Sequence, residues 1–118
     1  MKLILQKDYE KLLANGKRQR KAEEQGKILD FKPVVKLFTP DAQATWLLTE
    51  IDPEDPTIAF GLCDLGVGCP ELGYVSLEEI SAVRGFFGLP VERDIYFVAD
   101  KRLRAYVEQA NKDGQIIA

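Results

Sequence analysis

The sequence predicts an α+β fold in which an antiparallel meander of about four to five strands is combined with three helices. Short segments rich in β-branched and aromatic residues follow one another from residue 33, and turn sequences such as TPDA and DPEDP separate them. Capping signals mark helices before, between and after these segments. The length of 118 residues fits a single domain, 1–118, that buries most of its apolar surface in one core.

The first helix is predicted over residues 8–14. Asp8 is a good N-cap residue, and the dipeptide Asn15-Gly16 is typical of a helix end. The segment 17–32 that follows is polar and basic, and its part KRQRKAEEQGK either extends the helix or forms a mobile arm.

Three strands are predicted in PVVKLF, TWLLTEI and TIAFGLCDL, which read in order from residue 33 to residue 65. GYV at 73–75 is predicted as a fourth strand and DIYFV at 94–98 as a fifth. Aromatic residues in alternating strand segments are usually buried, so we assign five of them to the core: Phe38, Trp46, Phe60, Tyr74 and Phe97.

A short helix is predicted over residues 77–84. Ser76 precedes Glu79 by three residues, which is the spacing of a capping box. Gly85 can take a left-handed conformation after the last turn, where Arg84 provides a favourable cation. A helix of two turns is unstable alone and must be held by packing.

The last helix is predicted from Asp100, as its N-cap, to about Asn111, with Gly114 beyond its end. Its inward stripe has helical spacing and consists of Leu103, Tyr106, Val107 and Ala110.

Composition excludes several classes of function. The chain has no histidine, which removes Ser-His-Asp and Cys-His catalysis, and two cysteines supply only half of a structural zinc site. Neither GxGxxG nor GxxxxGK[ST] occurs. We therefore predict no catalytic residue, no metal and no cofactor. Without a membrane-spanning run or a signal-peptide pattern, the expected location is the cytoplasm, where Cys63 and Cys69 would stay reduced.

Charge is strongly segregated along the chain. Residues 1–36 carry ten basic and five acidic side chains, residues 37–83 carry none and nine, and residues 84–118 carry six and five. The acidic span 37–83 either meets a basic partner, binds a cation or only favours solubility. The predicted partner is a protein and not a membrane.

Two basic segments form the basis of a nucleic-acid hypothesis. The candidate phosphate contacts are Lys17, Arg18, Arg20, Lys21, Lys101, Arg102 and Arg104. Neither segment interleaves aromatic residues with its charges, and the chain is acidic overall, so this alternative is not favoured.

A polar site is also considered, because charged residues near strand ends either pair with each other or line a pocket. The candidates are Glu50, Asp64, Glu71, Arg84 and Arg93. Pairing of either arginine with Glu71 or Asp94 would pin the loop GFFGLP to the sheet, whereas unpaired arginines could bind an anion. The three glutamate and aspartate candidates would instead support a carboxylate- and metal-dependent enzyme if they converged.

The patterns TPD…W…TE, ELGY.SL and RG..GLP.ERD.YF, in this order within residues 30–105, resemble the bacterial family called domain of unknown function 2958. The family-like core is residues 33–111. The resemblance implies a small bacterial protein, often encoded on plasmids and other mobile elements, and carries no established activity. We therefore expect a non-catalytic accessory or protein-interaction module, with a nucleic-acid-binding protein and a metal-dependent enzyme as alternatives.

Overall fold

The computed structural model describes residues 3–118. It contains one antiparallel sheet of five strands in the order β4-β3-β2-β1-β5. The α+β prediction is confirmed, and the first four strands along the chain form the expected meander. The elements are α1 (Gln6–Glu24), β1 (Val35–Phe38), β2 (Thr45–Asp52), β3 (Asp55–Asp64), β4 (Glu71–Ser76), α2 (Leu77–Ala82), β5 (Glu92–Arg93) and α3 (Leu103–Asp113).

Side chains alternate between the two faces of the sheet, and other elements cover both faces. On the first face Trp46 and Leu48 of β2 pack with Leu12 of α1 and Ile80 of α2. Leu47 lies between Trp46 and Leu48 in sequence, and on the second face it packs with β3 and α3. The residues of this second core are Leu47, Leu62, Leu103, Tyr106 and Ala110.

Helix α1 is longer than predicted and does not end at Asn15-Gly16. Both residues are buried, and they serve the contact with β2: Nδ2 of Asn15 donates to the carbonyl of Thr49 over 2.9 Å, and Gly16 lies directly against the carbonyl of Ile51. The basic segment continues the helix as far as Glu24. The predicted N-cap is also wrong, because Asp8 lies inside the first turn.

The start of α2 is as predicted, since the N–H of Glu79 donates to Oγ of Ser76 over 3.2 Å. Its end differs. The helix ends at Ala82, and Gly85 is not left-handed, because it lies in a tight loop against the carboxylate of Asp41. The glycine is needed here for its lack of a side chain and not for its φ angle.

The predicted fifth strand is wrong. The segment 94–98 is irregular, and β5 consists only of the two preceding residues, which pair with β1. Ile95, Tyr96 and Val98 are exposed, whereas Phe97 packs against the second core. Asp94 begins this turn, since its carboxylate accepts from the N–H of Tyr96 over 2.9 Å.

The other predicted core aromatics differ in burial. Trp46 is buried, Phe38 and Phe60 are half-buried, and Tyr74 is 65% exposed on the edge strand β4. Tyr74 contacts the ring of Phe60 edge to face, with 5.1 Å between centroids.

The inward stripe of α3 and the left-handed Gly114 after its end are as predicted. Asp100 is not its N-cap, because its carboxylate accepts from the hydroxyl of Tyr106. A distant aspartate replaces it: Oδ1 of Asp30 accepts from the N–H of Arg104 over 3.1 Å. Sequence spacing cannot show this cap, since 74 residues separate the two groups.

Candidate functional site

The predicted polar residues lie in different parts of the molecule. Glu50 and Asp64 stand near opposite ends of the β2–β3 ladder, where they pair with Phe60 and Thr45. Glu71 is exposed at the start of β4. Among residues 3–118 no three acidic or cysteine side chains are close enough together to hold a metal ion.

Asp64 is buried and has structural partners. Its two oxygens accept from the N–H of Gly66 over 2.8 Å and from the N–H of Ile116 over 3.0 Å. The second bond ties the segment after α3 to the end of β3. Because both oxygens are used by backbone donors, Asp64 supports the fold here.

The two arginines do not pin the GFFGLP loop by ion pairs. Within residues 3–118, neither Arg84 nor Arg93 forms a salt bridge. The guanidinium of Arg84 donates to the carbonyl oxygens of Ser81 and Val83, and that of Arg93 donates to the carbonyl of Leu3. Arg84 thus satisfies carbonyl groups at the end of α2.

Asp41 holds the loop of residues 85–90 instead. Its Oδ2 accepts from the N–H of Phe87 over 2.6 Å and from the N–H of Leu89 over 3.3 Å. Sequence reasoning missed this role, because an aspartate after proline in TPDA reads as an ordinary turn residue. Its partners are 46 and 48 residues away.

The backbone of the 85–90 loop closes on itself. Arg84 and Pro90 form a β-bridge across its base, and the N–H of Gly85 donates to the carbonyl of Leu89 over 3.0 Å. Gly88 donates to the carbonyl of Gly85 over 3.1 Å and adopts φ 81°, which other residues rarely adopt. The loop is therefore a defined turn.

This turn presents two aromatic side chains to solvent. Phe86 and Phe87 are each 87% exposed, and Leu89 is 46% exposed. A fully buried phenylalanine removes roughly 150–250 Å² from water. Phe86 and Phe87 thus form an exposed apolar pair at adjacent positions on a fixed backbone, whereas the exposed side chains of Ile95, Tyr96 and Val98 lie on an irregular segment.

The basic candidates lie on α1 and around the start of α3, and most of them are engaged by neighbouring groups. Arg20 of α1 forms salt bridges with Asp52 over 3.1 Å and Glu54 over 3.0 Å, and its bond to Glu54 raises the pKa of the guanidinium. Arg18 lies over the ring of Phe31. Lys101 lies over the ring of Tyr106, and the guanidinium of Arg102 donates to the carbonyl of Asp30. The other three side chains, Lys17, Lys21 and Arg104, are exposed.

Comparison with protein families identifies the chain's relatives. A family model described as "Protein of unknown function (DUF2958)" matches residues 3–117. The chain belongs to this family. The match extends beyond the recognisable patterns at both ends and includes the basic segment, so all the described elements of this DUF2958 chain lie within it. No curated protein and no solved structure matches it.

Two other expectations concern location and thiols. No helix among residues 3–118 combines the length and apolar character needed to cross a bilayer. Cys63 is half-buried and Cys69 is exposed, and both are free thiols. Burial raises the pKa of the Cys63 thiol.

Proposed function

We propose that this DUF2958 chain is a small non-catalytic protein-interaction module and that its partner binds the 85–90 loop. The main support for this proposal is that Phe86 and Phe87 are each 87% exposed on a backbone that Asp41 holds in place. Exposed apolar groups of this size are unfavourable in water unless a partner covers them. Aromatic side chains are also enriched among residues that dominate binding energy.

The fixed backbone favours binding in a second way. A flexible loop would lose conformational entropy when a partner ordered it, and this loss would oppose binding. The 85–90 loop is already closed by the Arg84–Pro90 bridge and by the bonds to Asp41. A partner therefore meets the two phenylalanines on a backbone that is already close to its bound conformation.

The charges beside the loop indicate what the partner surface contains. Glu78 and Glu79 are exposed on α2, which Val83 and Arg84 join to the loop, and no basic residue occurs between residues 37 and 83. The cation nearest in sequence, Arg84, donates to the carbonyl oxygens of Ser81 and Val83. We propose a partner with an apolar pocket for the rings and basic side chains at its rim. The setting we propose is the bacterial cytoplasm, with the chain serving as an accessory protein of a mobile element.

The test is differential capture from the native host. The double substitution Phe86→Ser/Phe87→Ser should reduce recovery of the partner by roughly tenfold or more after cross-linking and quantitative mass spectrometry. The control variant Leu65→Ser/Val67→Ser also removes two exposed apolar side chains, but from a different loop, and should leave recovery unchanged. Capture should also weaken above ~0.15 M salt if basic groups line the partner's rim.

Two outcomes would refute the proposal. One is equal recovery of every captured protein with the double variant and with the unaltered chain. The other is sedimentation of the unaltered chain, but not of the double variant, with lipid vesicles in the absence of protein, which would assign the loop to a membrane surface.

A further inference from the structure

A second feature, remote from the 85–90 loop in sequence, is a cavity of about 310 Å³ on the second face of the sheet. It lies between the C-terminal half of α1, the edge strand β4 and α3. Its wall is mainly apolar and includes Phe60, Leu72 and Tyr74. This volume is at the lower end of the range for small-molecule sites.

Glu50 lies in the wall of this cavity and is 8% exposed. Its Oε1 accepts long hydrogen bonds, from Nε2 of Gln19 over 3.5 Å and from Oγ1 of Thr49 over 3.3 Å. Among residues 3–118 no donor reaches its Oε2, yet this oxygen is not sealed within protein. A second space beside Glu50 is a cleft of about 10 Å³, enough for one water molecule at most. Oε2 is therefore available to a ligand in the larger cavity.

The charges around the cavity are mostly negative. Its wall contains the carboxylates of Glu23, Asp30 and Glu50 and one guanidinium, that of Arg104. The small cleft adds Arg20 and Asp52, but these two are paired with each other. Burial raises the pKa of Glu50, since its charge has lost water without gaining a cation.

We propose that this cavity binds a small organic amine in its ammonium form. The ammonium donates to Oε2 of Glu50, and an aromatic or branched aliphatic body packs against Phe60 and Tyr74. Such a ligand supplies the missing donor, compensates the buried carboxylate and covers apolar surface in one step. Phe60 and Tyr74 also line the cavity, and aromatic rings interact favourably with a nearby cation.

Three probes of matched size test the chemistry: phenethylammonium, 2-phenylethanol and 3-phenylpropionate, titrated by calorimetry into the full chain at pH 7 in an amine-free buffer. The ammonium probe should bind roughly tenfold or more tightly than either other probe. Glu50→Gln should remove this preference by lowering the affinity for the ammonium to about that for the alcohol. Affinity for the ammonium should fall as pH decreases through the raised pKa of Glu50, because the carboxylate must then lose a proton to bind.

A matched pair of surface substitutions locates the site. Leu72→Trp places a large side chain at the cavity wall, on a residue that is 49% exposed, and should weaken binding roughly tenfold. Leu65→Trp changes a residue that is 60% exposed outside the cavity and should have no effect. Equal binding of the three probes, no binding of the ammonium, or the same response from both tryptophan variants would overturn the proposal. These variants leave the 85–90 loop intact, so failure here does not bear on the partner.

Discussion

Single carboxylates join distant parts of this chain through backbone donors. Asp41 holds the 85–90 loop, Asp64 holds the segment after α3, and Asp30 caps that helix. The sequence indicated that Asp41 lies in a turn and Asp64 near a strand end, but it did not single out Asp30. The partners could not be predicted, because each donor is a main-chain N–H, a group that every residue except proline carries. The cap at Ser76 could be predicted together with its donor, the N–H of Glu79, because that donor is three residues away.

The contribution of the cap at Ser76 to stability can be tested by removing its hydroxyl. Ser76→Ala should lower the free energy of unfolding by about 1 kcal/mol, because the N–H of Glu79 loses its acceptor at the start of a helix of six residues. Denaturant titration measures the change. Ser81→Ala is the control, since the hydroxyl of Ser81 donates to the carbonyl of Glu78 within the helix, and its loss should have a smaller effect. Equal midpoints for Ser76→Ala and the unaltered chain would contradict the cap's contribution.

At the scale of elements, the sequence predicted types better than boundaries. The strands β1 to β4 and the inward stripe of α3 follow from alternating and helical periodicity, which are local properties. The errors occurred where a tertiary contact determines the conformation. Gly16 was interpreted as a helix end although it permits close packing, and DIYFV has strand propensity but is irregular and largely exposed. Strand propensity does not reveal that only Glu92 and Arg93 pair with β1 at this edge of the sheet.

The contact of α1 with β2 gives the second prediction. A Cβ at position 16 would overlap the carbonyl oxygen of Ile51, so Gly16→Ala should force the helix away from the strand. Alanine favours an isolated helix by roughly 1 kcal/mol, but overpacking in a close contact costs about 1–3 kcal/mol or more. We expect net destabilisation on thermal or chemical unfolding. Gly73→Ala is the matched control, because the space beside Gly73 is open. A gain in stability for Gly16→Ala would show that helix propensity outweighs the close contact.

For the whole molecule, the charge pattern of the sequence overstates the charge left on the surface. Of the nine acidic residues in the span 37–83, Glu50 and Asp64 are buried and Asp41 lies inside the loop it holds. Folding pairs two more with Arg20 of α1. Exposed carboxylates outside these interactions remain at Asp55, Glu71, Glu78 and Glu79. The candidate site was therefore only partly predictable: the sequence indicated an acidic chain, whereas folding determines which carboxylates remain exposed.

Folding also engages several basic residues, and this bears on nucleic-acid binding. Neutralising phosphates requires several cations on one accessible surface, and Arg20 is engaged by Asp52 and Glu54 while Arg18 lies over Phe31. We expect single- and double-stranded oligonucleotides to bind more weakly than ~1 µM at physiological salt, as measured by fluorescence anisotropy. The substitutions Lys17→Gln/Lys21→Gln, which leave these internal contacts intact, should only lower the salt dependence of the remaining weak binding, because they remove two exposed cations. Tight binding that survives competitor DNA, and that these two substitutions abolish, would instead make α1 a nucleic-acid-binding helix and displace the protein-interaction proposal.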